Sequence, residues 1–340
     1  MKTLSKILLS LVITTYSFGA IAQEANDPKS LVKQGVELND AGKYAEAISK
    51  YNEALKIDST FQSAYYEIAY TLFSSGKENE AIPYLEKLLK LDAKSAGAYD
   101  MLGSIYDDNK QPEKAIAYYA KGIKANPNYQ RLYFNTAITY YKMAKYDESE
   151  KYAITAIKMD PKHASSQRVY AMTTYAEGKR GVSLLAWCSF LLIEPQTKRS
   201  EEANRYIQKI LNYGIKQTGE KSVTISIDPN DTGGPNLMMP ISVLAATSDK
   251  KGLTKVDSLT LQLKNVFEIS ESFGGKKEDP FYKSYLSDYF KSLAASDNMP
   301  AFVRFISISV YREENLQWFK DNDGKVTALD NWVANTKRAL

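Results

Sequence analysis

The chain has 340 residues, with 44 lysines and arginines against 40 aspartates and glutamates and a formal net charge of +4 at neutral pH. This near balance argues against a protein that binds nucleic acids or anionic membranes through a basic surface. Cys188 is the only cysteine, so no disulfide can form within the chain. Stability must therefore come from a packed core, which this length allows.

The first 22 residues have the pattern of an export signal. Two lysines precede a mainly apolar run at residues 7–13, and Ala20 and Ala22 offer a cleavage site of small residues. The apolar run is too short to remain as a membrane span. We therefore expect cleavage of residues 1–22, a periplasmic or extracellular location, and no transmembrane anchor in the mature chain.

From residue 28 to residue 197, small residues recur with a period of 34. The best-preserved column consists of Gly35, Ala69, Gly103, Ala137 and Ala171. Twelve positions later, a second column consists of Ala47, Ala81, Ala115, Ser149 and Ser183. Two antiparallel helices approach closely only where their side chains are small. The period therefore predicts helix pairs, each of which covers the apolar face that its neighbour leaves exposed.

Other positions of the repeat also match a known family. Tyr44, Tyr51 and Leu55 in a second helix, and prolines at three of the boundaries between repeats, occupy characteristic positions. Residues 28–197 thus resemble the tetratricopeptide repeat family. The resemblance implies an all-α superhelical solenoid of five helix pairs, which binds a protein or peptide segment in its concave groove. The implied repeats are 28–61, 62–95, 96–129, 130–163 and 164–197.

The fifth repeat departs most from the family pattern. Phe190 stands where a small residue is usual, and Trp187 enlarges the aromatic position before it. This bulk predicts contact with the residues that follow. A capping helix is predicted over residues 199–215, where Ser200 precedes two glutamates and an apolar stripe.

The helical period fails over residues 216–236, which we interpret as a linker. Val223, Ile225 and Ile227 alternate as in a short strand, and turn residues follow. A small, mainly helical C-terminal domain is expected over residues 237–340. Its predicted helices lie near 237–247, 254–272, 280–294, 300–310 and 325–338. The predicted core packs Tyr282, Tyr285, Leu286, Tyr289, Phe290 and Leu293 against Phe302, Phe305 and Ile306, with Trp318 and Trp332 closing a second small core.

Candidate binding residues follow from the resemblance, because the first helix of each tetratricopeptide repeat lines the groove. The groove residues implied are Tyr66, Tyr70, Phe73, Asp100, Asp107, Arg131, Phe134, Tyr141, Arg168 and Tyr175. Aromatic rings and arginine forks are typical of a binding surface. The alternative is that several of these rings pack between repeats or against the tail. Val32 and Val36 occupy two positions where a carboxylate clamp needs polar donors, so a chaperone tail is not the expected partner.

No cofactor, metal-binding or catalytic residue is expected. His163 has no second histidine or cysteine nearby in the sequence, which favours a surface role, and Cys188 lies in an apolar stretch that favours a small buried side chain. Residues 321–324 have the composition of the middle of a calcium loop, but Phe319 replaces its first ligand, so an ordinary turn is predicted.

The sequence therefore favours an exported, non-enzymatic scaffold that binds a protein or peptide segment and does not bind nucleic acid. The main alternative is a glycan-binding or hydrolase domain after residue 236, with the repeats as its mount. A weaker alternative is a calcium-responsive module.

Overall fold

The computed structural model describes residues 27–219, 222–226, 234–248, 250–274 and 280–339, so the predicted export signal lies outside the described residues. The chain divides into two compact units, the first ending at Asn135 and the second beginning at Thr136. Ten helices form five consecutive pairs. They are α1 Pro28–Asp40, α2 Tyr44–Ile57, α3 Gln62–Ser74, α4 Glu78–Leu91, α5 Ala96–Asp108, α6 Pro112–Ala125, α7 Gln130–Lys142, α8 Tyr146–Met159, α9 Ala164–Ala176 and α10 Arg180–Ile193.

The predicted all-α repeat fold is confirmed. Each first helix of a pair begins 34 residues after the preceding one. Helix α1 begins as the sequence indicates, because the Asp27 carboxylate accepts a hydrogen bond of 2.9 Å from the Ser30 backbone N–H and Pro28 occupies the first turn.

The small column marks where the two helices of a pair touch. In the first unit, a Cβ built on Gly35 would lie 2.2 Å from the Tyr51 ring, and one on Gly103 would lie 2.1 Å from the Tyr119 ring. Both rings are buried and lie sixteen residues after their glycine. The absence of a side chain at these glycines therefore makes room for the tyrosine of the second helix.

Helix α10 is enclosed on all sides in the second unit. Every residue from Gly181 to Leu191 is buried, as expected of a helix that is apolar all round. The Trp187 ring stacks on Tyr206 at a centroid distance of 4.9 Å, and Gly181 lies directly against Phe273. The predicted contact between the bulky fifth repeat and the residues that follow is therefore confirmed.

Helix α11, Lys198–Leu211, begins 34 residues after α9 and continues the period by one more first helix. Thr197 is the N-cap of this helix, because its hydroxyl accepts a hydrogen bond from the Ser200 backbone N–H. Arg205 occupies the small column in this helix, and it is exposed. No second helix of a repeat follows α11, since the chain continues into a hairpin of β1 Ile215–Gly219 and β2 Ser222–Ile225.

The predicted short strand is confirmed for residues 222–225, which pair antiparallel with β1 so that Ile215 faces Ile225. Ile227 lies outside the described residues. The described residues 234–339 belong to the same compact unit as the fifth helix pair.

The tail is helical, with bounds that differ in part from those predicted. Its elements are α12 Gly234–Ala245, α13 Lys255–Glu268, a 3-10 turn at Ser270–Gly274, a π turn at Tyr282–Ser287 continued by α14 Asp288–Ala294, α15 Met299–Ile306, α16 Arg312–Asp321 and α17 Asp323–Asn335. Helix α16 was not predicted. The expected turn at residues 321–324 is also shorter than expected, because Asp321 ends α16 and Asp323 already begins α17.

Aromatic rings form the core of the tail. The Phe290 centroid lies 6.0 Å from that of Phe302, in agreement with the predicted core, and 4.7 Å from that of Phe267, which the prediction did not include. The two tryptophans do not close a single second core as predicted. Trp332 packs on Tyr289 at 4.9 Å, and Trp318 lies instead against the Arg304 guanidinium at 4.6 Å.

The tail packs directly on the last repeat. The Gln167 side-chain amide donates a hydrogen bond of 2.6 Å to the Tyr285 hydroxyl, and the Tyr170 ring meets the Phe281 ring edge-on at 5.5 Å. Asn204 of α11 donates a hydrogen bond of 2.9 Å to the Ile306 carbonyl. None of the described helices combines the length and apolarity that a membrane crossing needs.

Candidate functional site

Three first helices of the first unit bring a polar cluster together. The Asp100 carboxylate of α5 lies 3.0 Å from the Arg131 Nε and accepts a hydrogen bond of 2.6 Å from the Asn135 side-chain amide, both of α7. Asp100 is only 5% exposed, whereas the Arg131 side chain is 63% exposed. The buried carboxylate therefore holds a guanidinium that remains open to a ligand.

The electrostatics of this polar cluster show how closely its members interact. Burial raises the pKa of Asp100 above its usual range, and Arg131 and Asn135 partly oppose this increase by stabilising the charged form. Burial also raises the pKa of Tyr66 on α3; Tyr129 and Asp100 add to this increase, and Arg131 opposes it. Tyr66, Asp100 and Arg131, three of the predicted groove residues, therefore interact electrostatically in the first unit.

An exposed ring lies one helical turn from Tyr66. Tyr70 is 44% exposed, although it is a large aromatic residue. Positions i and i+4 share a helix face, so this ring lies on the face of α3 that carries Tyr66. Phe73 is half-buried and packs against the apolar core of the first unit. Asp107 and Phe134 are also half-buried.

In the second unit, the predicted groove residues meet α11. Arg168 forms an ion pair with Glu202, with its Nη2 2.7 Å from Oε2. The Tyr175 ring meets the Tyr206 ring edge-on at 5.0 Å, and the Lys209 ammonium lies 5.2 Å from the centroid of Tyr175. Arg168 and Tyr175 therefore both contact side chains of α11.

Tyr141 lies near the same aromatic group of the second unit. Burial raises the pKa of Tyr141, with the next contribution from Tyr206, and its ring lies 5.8 Å from that of Tyr146. Glu202 and Tyr206 were missed as members of this face because the sequence interpretation ended the repeats at residue 197. Their signal is the period itself, since Glu202 lies 34 positions after Arg168.

Cys188 and His163, whose side chains can in general bind metals or act as nucleophiles, have structural roles here. Cys188 is completely buried, and burial raises the pKa of its thiol far above its usual range, so the predicted buried side chain is confirmed. His163 caps α9, where its Nδ1 lies 2.7 Å from the Ser166 hydroxyl. Within the described parts of the chain, no group of three or more histidine, cysteine, aspartate or glutamate side chains could hold a metal ion.

Comparisons with known proteins identify repeats in the same region. A model described as a TPR repeat matches residues 35–76, and a tetratricopeptide repeat model matches residues 62–95, 96–129 and 130–163. No curated protein matches the chain in sequence.

Three solved structures illustrate the similarity in chain course. YrrB, described as a TPR protein with an unusual peptide-binding site, is 21% identical over 55% of this chain and 97% of its own, with a TM-score of 0.44. PilF of Pseudomonas aeruginosa is 16% identical over 54% of this chain and 88% of its own, with a TM-score of 0.47. A thermophilic TPR protein of Thermus thermophilus is 20% identical over 54% of this chain and 99% of its own, with a TM-score of 0.43.

Proposed function

We propose that this chain, a tetratricopeptide repeat protein, is an exported, non-enzymatic scaffold that binds a segment of another protein along its first helices. Repeat arrays bind partners on extended surfaces because each unit adds a similar set of side chains to the same face. The single observation that carries the proposal is the exposed Tyr70 ring on the helix face of Tyr66, in the unit where Tyr66, Asp100 and Arg131 form the polar cluster.

The chemistry of that face suits a peptide. An exposed tyrosine supplies a large, rigid contact area with few torsions to fix, and an arginine offers a planar fork of donors for carboxylates or backbone carbonyls. Asp100 fixes the Arg131 side chain from the buried side, so less conformational freedom is lost when a ligand binds. Arg168, the groove arginine predicted in the second unit, is paired with Glu202 and its side chain is only 24% exposed, against 63% for Arg131. We therefore assign the main contact to the first unit.

We expect site-specific photo-cross-linking to distinguish the proposed face from the rest of the first unit. A benzophenone amino acid at position 70, in cells that produce the protein, should give one discrete adduct, which Arg131→Ala should reduce. Tyr44 is the matched control, because it is 36% exposed in the same unit but begins α2, the second helix of its pair. The same adducts from positions 44 and 70, or none from position 70, would contradict the proposed face.

Export forms a separate part of the proposal and rests on the signal pattern of residues 1–22. Cleavage after Ala22 would make Gln23 the first residue of the mature protein. Mass spectrometry of the protein from the cell envelope or medium should find this amino terminus. An intact Met1 in the bulk of the protein, recovered with the cytosol, would contradict export and leave the binding face untouched.

A further inference from the structure

A second candidate site lies in the second unit, where the tail meets the fifth repeat. A cavity of about 510 Å³ opens between the end of α10, the loop before α9 and the tail. Its apolar walls are Leu192, Ile193 and Val333, together with the rings of Tyr285 and Tyr289. This volume falls within the roughly 300–1,000 Å³ of small-molecule sites, which are mainly apolar with a few placed polar groups.

The charges that line this cavity are all positive. Lys162, Lys337 and Arg338 contribute to it, and none of the described residues along its walls is acidic. The Arg338 guanidinium donates a hydrogen bond of 2.6 Å to the Ser189 hydroxyl and lies 3.9 Å from the centroid of the Tyr289 ring. Ring faces and a hydroxyl orient this cation without neutralising it, and no ion pair of Arg338 with an acidic side chain occurs among the described residues.

We propose that this cavity binds an aliphatic carboxylate, with its carboxylate at Arg338 and its hydrocarbon chain along Leu192, Ile193 and Val333. An apolar cavity with a cationic end matches a ligand that is apolar over most of its length and anionic at one end. Arginine presents paired N–H donors in the geometry of a carboxylate, and its stacking on Tyr289 fixes the plane of that fork. The apolar walls remove methylene groups from water, so affinity depends on chain length.

Titration of the full chain with decanoate, below its micelle concentration, tests the proposal by calorimetry. Binding should be saturable with one site per chain. Each added methylene from hexanoate to decanoate should tighten binding by up to about fourfold. Decanol should bind at least about tenfold more weakly than decanoate, because it lacks the charge that Arg338 recognises. Equal affinities for decanol and decanoate, or no saturable binding of decanoate, would overturn the proposal.

Substitutions of exposed residues at the rim of the cavity test binding without disturbing the buried core. Ile193→Glu and Val333→Glu replace exposed apolar residues of the cavity with negative charges, so we expect each to weaken decanoate binding at least about tenfold. Leu316→Glu is the matched control, since Leu316 is an exposed apolar residue of α16 that does not line the cavity, and it should leave binding within about twofold. Equal affinities of the rim variants and the control would refute the site.

Two further measurements fix the chemistry of the head group. Arg338→Gln should weaken decanoate binding at least about tenfold and reduce the preference of the site for decanoate over decanol, which a general loss of packing would not do. Decyl phosphate should bind no more tightly than decanoate. A preference of more than about tenfold for decyl phosphate would overturn the carboxylate assignment and identify the site as one for phosphate head groups.

Discussion

Replacing Trp187 with alanine should lower the free energy of unfolding of the second unit by about 3–5 kcal/mol. The Trp187 side chain is completely buried in α10, where its ring stacks on Tyr206 and meets Phe190 edge-on at 5.9 Å. Truncation removes this contact area and leaves a cavity in a helix that is enclosed on every side. Rigid aromatic neighbours cannot collapse into such a cavity as flexible aliphatic side chains can.

Urea unfolding followed by circular dichroism measures this loss, and Trp318→Ala provides the control. Trp318 is half-buried and lies against the Arg304 guanidinium, so its truncation should cost clearly less. A larger loss for Trp318→Ala than for Trp187→Ala would mean that the enclosed α10 is not the centre of stability of the second unit.

Alanine at Gly103 should destabilise the first unit by about 1–3 kcal/mol, although alanine is intrinsically the better helix former by about 1 kcal/mol. The added Cβ would lie 2.1 Å from the Tyr119 ring, far inside van der Waals contact. The ring is almost completely buried and cannot move aside without disturbing the contact between the two helices of the pair. Steric overlap therefore outweighs helix propensity at this position.

The second repeat indicates how to rescue the variant. Ala69 and Leu85 occupy the positions that Gly103 and Tyr119 occupy in the third repeat. We expect Tyr119→Leu to recover much of the loss, with a coupling energy of about 1 kcal/mol or more in a double-mutant cycle. Gly324→Ala is the control for propensity alone, because no atom lies within 4 Å of its added Cβ, and it should be neutral or stabilising. Additive effects of Gly103→Ala and Tyr119→Leu would contradict the steric explanation.

The sequence predicted the repeat helices well because their signal is periodic and physical. Small residues recur where two helices touch, so the columns identify the pairs directly. Helix α16 was missed because it begins Arg312-Glu313-Glu314 and buries only Asn315, so it has no apolar stripe. Helix α16 is held in place by tertiary contacts, such as the hydrogen bond of 3.0 Å that the Asn315 side-chain amide donates to the Ser307 hydroxyl.

The candidate sites could be predicted only in part. The resemblance indicated which side chains share a face, and two of these, Asp100 and Arg131, form an ion pair. The resemblance could not show that Arg168 forms an ion pair with Glu202 of α11. Arg205 interrupts the small column, so α11 was not recognised as a further first helix. The cavity of the tail was beyond prediction, because residues as far apart as Lys162 and Arg338 line it and no local pattern connects them.

Arg205 also has a consequence for how such a chain can change its length over evolutionary time. Duplication or loss of a 34-residue module among the earlier helix pairs exchanges one junction for another of the same type. The same event after residue 197 would separate α10 from α11 and the tail, which enclose it. Arg205 of α11 could not pack against a new second helix, because it occupies the position where a small residue is needed. Descendants should therefore vary in repeat number only upstream of the fifth pair.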